Sequence, residues 1–130
     1  MRLIGRADCL RLLATVNLGR VVHTERAMPA AHPVTFLLQD EEVIFRTGSL
    51  TKATAASRGA VFAFQVDHVD FTSRTRWSVL GVGQAYLVAA AARLAELDGR
   101  LPPPWAPDYD GYTIAIALTQ LSGRCVGPLS

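Results

Sequence analysis

Apolar and polar residues alternate along most of this chain with a period of two, the signature of half-buried β-strands. The pattern predicts strands over Gly19–Thr24 (GRVVHT), Ala30–Leu38 (AAHPVTFLL), Val43–Thr47 (VIFRT), Val61–Asp67 (VFAFQVD), Trp77–Val88 (WSVLGVGQAYLV) and Tyr112–Ala117. In the fourth, Val61, Ala63, Gln65 and Asp67 share one face, and Phe62, Phe64 and Val66 the other. Glu25–Met28 reads as a turn with Pro29 at its exit, and Gln39–Glu42 as a tight acidic turn that makes a hairpin of the second and third strands. Pro33 places the second strand at a sheet edge or a bulge. Gly81 and Gly83 predict a bend or bulge in the fifth.

The period changes to a helical one in three places. Asp8 is positioned to cap a helix running to about Val16, with Leu10, Leu13 and Ala14 at helical spacing. Thr51–Arg58 and Ala89–Asp98 are alanine-rich helices stopped by Gly59 and Gly99. Asp70–Arg76 reads as a polar loop, Leu101–Asp110 as a proline-rich loop and Leu118–Val126 as a tail. These elements predict a mainly β fold: one domain over residues 1–130, a six-stranded antiparallel barrel with small peripheral helices.

Composition narrows the setting. The chain has 130 residues, half of them hydrophobic and 18% charged, enough to build a core without a metal or disulfide staple. A formal charge of +2 is too weak to argue for nucleic acid. No apolar stretch approaches the roughly 20 residues that span a bilayer; Leu87–Ala92 runs into Arg93. Met1–Gly5 has no secretory apolar region, and Cys9 and Cys125 stand far apart with no CxxC pairing, so a cytoplasmic protein with reduced thiols is expected.

Several chemistries lack their motifs. There is no GxSxG elbow, no GxxxxGK[ST] and no GxGxxG. His23, His32 and His68 fall in none of the HxH, HxxxH or HExxH spacings, so no metal site is expected.

One segment does carry chemistry: Phe45-Arg46-Thr47-Gly48-Ser49-Leu50-Thr51-Lys52. A strand ends, a glycine turn follows and a helix begins. Helix N-termini present unpaired N–H groups and a positive dipole end, which suit phosphate. Arg46 offers a planar fork and Lys52, the only lysine, a point charge. Thr47 and Ser49 add hydroxyls. The plainer alternative is a helix capped by Ser49 or Thr51 with both cations in water.

The run GRVVHTE…PAAHPVTFLLQDEEVIFRTGSLTKATAASRGAVFAFQVD…WSVLGVGQAYLV resembles the pyridoxamine 5′-phosphate oxidase-like family of flavin-binding split barrels, in particular its short actinobacterial members. The resemblance covers Gly19 to Val88, with weaker echoes at Pro104-Trp105-Ala106-Pro107 and Gly123-Arg124. It implies a six-stranded split barrel and a homodimer with cofactor at the shared interface. The strand matching Val34, Thr35 and Phe36 would line the flavin ring. Pro33 beside it removes a ladder N–H and opens the strand edge to a ligand. Arg46, Thr47, Ser49 and Lys52 would hold the phosphate, and Trp77 and Ser78 would approach the cofactor. Thr35 stands where members often carry asparagine, and Arg76 where they carry glycine.

The resemblance implies an FMN-dependent oxidoreductase acting on a small planar organic molecule, in which the cofactor supplies the reactivity that no acid–base pair of the chain nominates. A carrier or redox sensor for FMN or the deazaflavin F420, and a haem-binding split barrel, are the alternatives within the same family.

Overall fold

The computed structural model describes residues 1–102 and 111–129; the motif around Trp105 lies outside them. Eight strands and three helices follow one another as β1 (Arg2–Ile4), α1 (Arg6–Leu13), β2 (Leu18–Glu25), β3 (Met28–Gln39), β4 (Glu42–Thr47), α2 (Leu50–Ser57), β5 (Val61–Asp70), β6 (Thr75–Leu87), α3 (Ala91–Asp98), β7 (Tyr112–Ala117) and β8 (Gln120–Val126). All pairings are antiparallel, in the order β1-β8-β6-β5-β2-β3-β4-β7. A further β6–β7 pairing closes six strands into a barrel, as the alternation predicts, and β8 and β1 extend the sheet beyond β6.

The barrel splits along β6. From Arg76 to Val82 this strand pairs with β8, and from Ala85 to Leu87 with β7. Gly83 sits at the change of partner, where a Cβ would lie 1.5 Å from the Ala117 carbonyl oxygen. The glycines read as a bend thus mark the seam of the fold.

Inward-facing residues fill the barrel: Val21, Phe36, Phe45, Phe62, Phe64 and Ile114 are buried. The Phe36 and Phe64 rings meet edge to face at 4.7 Å. Gly19 leaves room for Phe64, whose ring a Cβ would meet at 2.3 Å. Cys9, Leu12 and Leu13 of α1 and Ala56 of α2 join this core. α3 covers a second cluster that includes Ile44, Leu97 and Ala115. Arg93 ties α3 to the barrel by donating to the Tyr86 hydroxyl and to Glu42.

Three expectations are corrected. The tail predicted over Leu118–Val126 is strand β8 and the extreme N-terminus is β1, because both find partners beside β6. Asp8 does not cap α1: the helix starts at Arg6 with Gly5 at the cap, leaving Asp8 in the first turn. The loop at Asp70–Arg76 shrinks to a hairpin tip, since β5 runs to Asp70 and β6 resumes at Thr75.

Candidate functional site

The segment from Arg46 to Lys52 folds as strand, turn and helix, and its hydroxyls are spoken for locally. The Ser49 N–H donates to Thr47 Oγ1 at 3.1 Å, and the Lys52 N–H donates to Ser49 Oγ at 3.2 Å, so Ser49 is the N-cap of α2. Each hydroxyl spends a lone pair in this way and keeps its proton for an incoming anion. Lys52 extends from the first turn of α2 and is only 6% exposed. Its ammonium has no hydrogen-bond acceptor or ion-pair partner among the described residues. Burial holds its pKa below the ordinary lysine value, and the charge of Glu25 partly offsets that. A cation buried without a counter-ion is costly, and an anion beside it would offset that cost.

The β2–β3 hairpin brings further polar groups to the same place. Its turn residues Arg26 and Ala27 both have positive φ, 52° and 62°, the pattern of a two-residue primed turn. The resulting register pairs His23 with Ala30 and Val21 with His32, so the two histidines are diagonal neighbours on the inward face. Their ring centroids lie 5.7 Å apart, and Phe62 packs 5.1 Å from His23. His23 Nε2 lies 2.8 Å from Glu25 Oε1. This contact holds the Glu25 carboxyl below its usual pKa. Burial, and then the Lys52 charge, lower that of His32. His23 Nδ1 and His32 Nε2 are buried with no partner among the described residues.

The ten residues singled out from sequence fall in four places. Lys52, Thr47 and Ser49 stay together at the start of α2. Arg46 lies on the other face of β4, donating to Asp98 of α3 at 3.1 Å. On β3, Val34 and Phe36 point into the core at 8% and 2% exposure, whereas Pro33 and Thr35 face outward. The Phe36 N–H donates to the Asn17 carbonyl, so the alternating ladder leaves Pro33 at a non-bonded position. β4 pairs with β3 only from Phe36 to Gln39, leaving the strand edge beside Pro33 open. Pro33 borders a depression of about 180 Å³ with Arg20, Gln65 and Asp67.

Trp77 and Ser78 lie elsewhere. Trp77 is 7% exposed, belongs to the core and stacks on His68 at 5.6 Å. Both rings line a cavity of about 490 Å³ with Leu12, Val16, Arg76 and Leu129. Ser78 faces outward, beside Arg124. Six residues of β5 separate Phe62, beside His23, from His68, a span of about 20 Å at ordinary strand rise. Within one chain, the Lys52 and Trp77 groups therefore do not meet.

Sequence reading overlooked His23, Glu25 and His32. The available signal was the hairpin itself: a turn centred on residues 26 and 27 sets 23 and 32 diagonal across the strand pair.

A closed antiparallel barrel split along one long strand, with a buried cation at a helix start beside it, defines the fold as a split barrel. The chain belongs to the pyridoxamine 5′-phosphate oxidase family, whose model matches residues 5–125. It is 40% identical over 107 residues to the uncharacterized protein Rv0080 of Mycobacterium tuberculosis, a span that is 78% of this chain and 70% of that protein. Among solved structures it resembles the FAD binding protein of Mycobacterium smegmatis at 30% identity and a TM-score of 0.78, covering 96% of this chain and 98% of that one. The FAD and heme binding protein of the same organism shares the fold, at 19% identity and a TM-score of 0.72 over 95% of this chain and 73% of that one. No helix among the described residues is long and apolar enough to cross a membrane.

Proposed function

We propose that this protein is a flavin-dependent oxidoreductase that acts on a small planar organic substrate and works as a homodimer with flavin at the shared interface. The observation that carries the reading is Lys52: a buried ammonium without an ion-pair partner among the described residues, at a helix start, in a chain of this family. Lys52, with the hydroxyl protons of Thr47 and Ser49, is assigned to the flavin phosphate. Arg46 joins them only when its pair with Asp98 opens. Pro33 and Thr35, on the outer face with an open strand edge, are assigned to the ring. Trp77 and Ser78 belong to the same site only through the second subunit. Bound flavin would supply the hydride chemistry, while the chain binds, orients and excludes water.

FMN is the cofactor we favour, since a single terminal phosphate matches a single buried ammonium. FAD is the second reading, favoured by the 30% identical FAD binding protein. The test is direct. Protein purified with bound flavin is denatured, and the released cofactor is identified by mass spectrometry. FMN at one per chain is expected, while a deazaflavin or a haem Soret band would overturn the flavin assignment. Turnover is tested by reducing the bound cofactor anaerobically and adding quinones, nitroaromatics and pyridoxal derivatives. If none reoxidises it faster than buffer, the protein is a carrier and not an oxidoreductase.

The dimer has its own support. Leu18, Val61, Val69, Leu80 and Val126 all lie on the outer face of the β2-β5-β6-β8 sheet, and each is more than a third exposed. Such a face needs cover. Light scattering is expected to give a dimer, and Leu80→Glu to give a monomer with weakened flavin binding. A wild-type monomer that retains flavin would refute the shared-interface site.

A further inference from the structure

The His23–Glu25–His32 cluster has chemistry that an anion site at Lys52 does not use. His23 Nε2 faces the Glu25 carboxylate at 2.8 Å, so that ring nitrogen and a carboxylate oxygen are turned to the same space. His23 is 3% exposed, and its Nδ1, on the far side of the ring, is buried without a partner among the described residues. His32 Nε2 is the second buried nitrogen without a partner among the described residues. One ligand atom from each of His23, Glu25 and His32 lies within 4.8 Å of the others.

We propose that His23, His32 and Glu25 form a binding site for a divalent transition-metal ion of the Zn2+ type, with at least one coordination position left open. The proposal is independent of the flavin reading. Two imidazoles and a carboxylate are the ligands such ions take, whereas Mg2+ and Ca2+ take oxygen ligands only. Ligand atoms in a tetrahedral shell with bonds of about 2.0–2.1 Å lie roughly 3.3 Å apart. The cluster therefore has to close by about 1.5 Å at its widest, a shift within reach of side-chain rotation at the partly exposed Glu25 and His32.

Lys52 is the opposing group. It is close enough for its charge to act on both His32 and Glu25. A metal in this cluster is repelled by that ammonium, whereas an anion is drawn to it. Removing the charge therefore moves the two kinds of ligand in opposite directions.

The test uses the full chain as purified, dialysed first against a chelator and then against Zn2+, with bound metal measured and flavin absorbance read on the same samples. One Zn2+ per chain is expected, undisturbed by Mg2+. Glu25→Gln, which removes a direct ligand, should weaken binding by more than about 10-fold, the least that loss of an outer-shell partner costs, and His32→Ala should abolish it. His68→Ala, at the far end of β5, should match wild type. Lys52→Gln should bind Zn2+ more tightly while binding flavin more weakly. Circular dichroism checks that each variant is folded; Glu25→Gln, at a partly exposed position, keeps the test open if His32→Ala does not fold. Substoichiometric binding by wild type, binding that survives both Glu25→Gln and His32→Ala, or binding weakened by Lys52→Gln would each overturn the site. Wild type that binds Zn2+ but no flavin would instead count against the flavin reading alone.

Discussion

Gly83→Ala is expected to break the barrel, at a cost above about 4 kcal/mol and a loss of more than about 10 °C in melting temperature. The added methyl would sit 1.5 Å from the Ala117 carbonyl oxygen and 2.7 Å from its carbon. That carbonyl accepts from the Thr119 N–H at 2.9 Å, within the tight connection between β7 and β8. Neither side has freedom to move, because β7 closes the barrel on β6 while β8 extends it. Gly81→Ala makes the comparison. Its methyl would approach the Leu118 Cδ2 atom at 2.5 Å, the far end of a flexible side chain. Repacking there should limit the loss to about 1–3 kcal/mol. Thermal unfolding by circular dichroism measures both. If Gly83→Ala melts within about 2 °C of wild type, well under the shift a 1 kcal/mol loss produces, the seam is not where the structure places it.

The same seam explains what the sequence revealed and what it concealed. Six barrel strands were readable because each has an inward and an outward face, and alternation records both. β1 left little such trace, and in β8 the alternation is diluted by glycine and serine. Arg2–Ile4 is only three residues long, and β8 (QLSGRCV) faces Leu121, Gly123 and Cys125 one way and polar Gln120, Ser122 and Arg124 the other. These strands exist because β6 is long enough to offer a second edge, a tertiary fact that no local window contains.

The candidate site divides along the same line. Thr47, Ser49 and Lys52 were legible because a strand end, a cap and a helix start are neighbours in sequence. Arg46 was adjacent to them but belongs to the opposite face of β4, a consequence of the two-residue period applied one residue too loosely. His23, Glu25 and His32 depend on hairpin register. That register turns on Arg26 and Ala27, which adopt left-handed backbone without the glycine or asparagine that normally announces it. The resemblance assigns Val34 and Phe36 to the flavin, yet the strand turns them into the core and turns Pro33 and Thr35 outward.

Lys52→Met should separate what the lysine does for binding from what it costs the fold. Loss of a charge-assisted contact to phosphate is worth about 1.5–3 kcal/mol, or about 10- to 150-fold in affinity. Flavin titrated into the variant should therefore bind weaker by that factor. The flavin-free fold should respond in the other direction. Burial lowers the folded-state pKa of Lys52 below 10.5, so the unfolded chain holds the proton more tightly than the native one. The resulting destabilisation is complete below the folded pKa and is relieved as pH rises through that value towards 10.5. Flavin-free wild type should accordingly gain stability from this group across the alkaline range, and Lys52→Met should not. Near neutrality, in the presence of a chelator, the variant should melt at or above the wild-type temperature, since methionine fills similar space without a charge. Unchanged flavin affinity would remove Lys52 from the phosphate site. A lower melting temperature near neutrality would show that the ammonium holds the fold together, because a cation kept for a ligand and not for the core is one the empty protein folds better without.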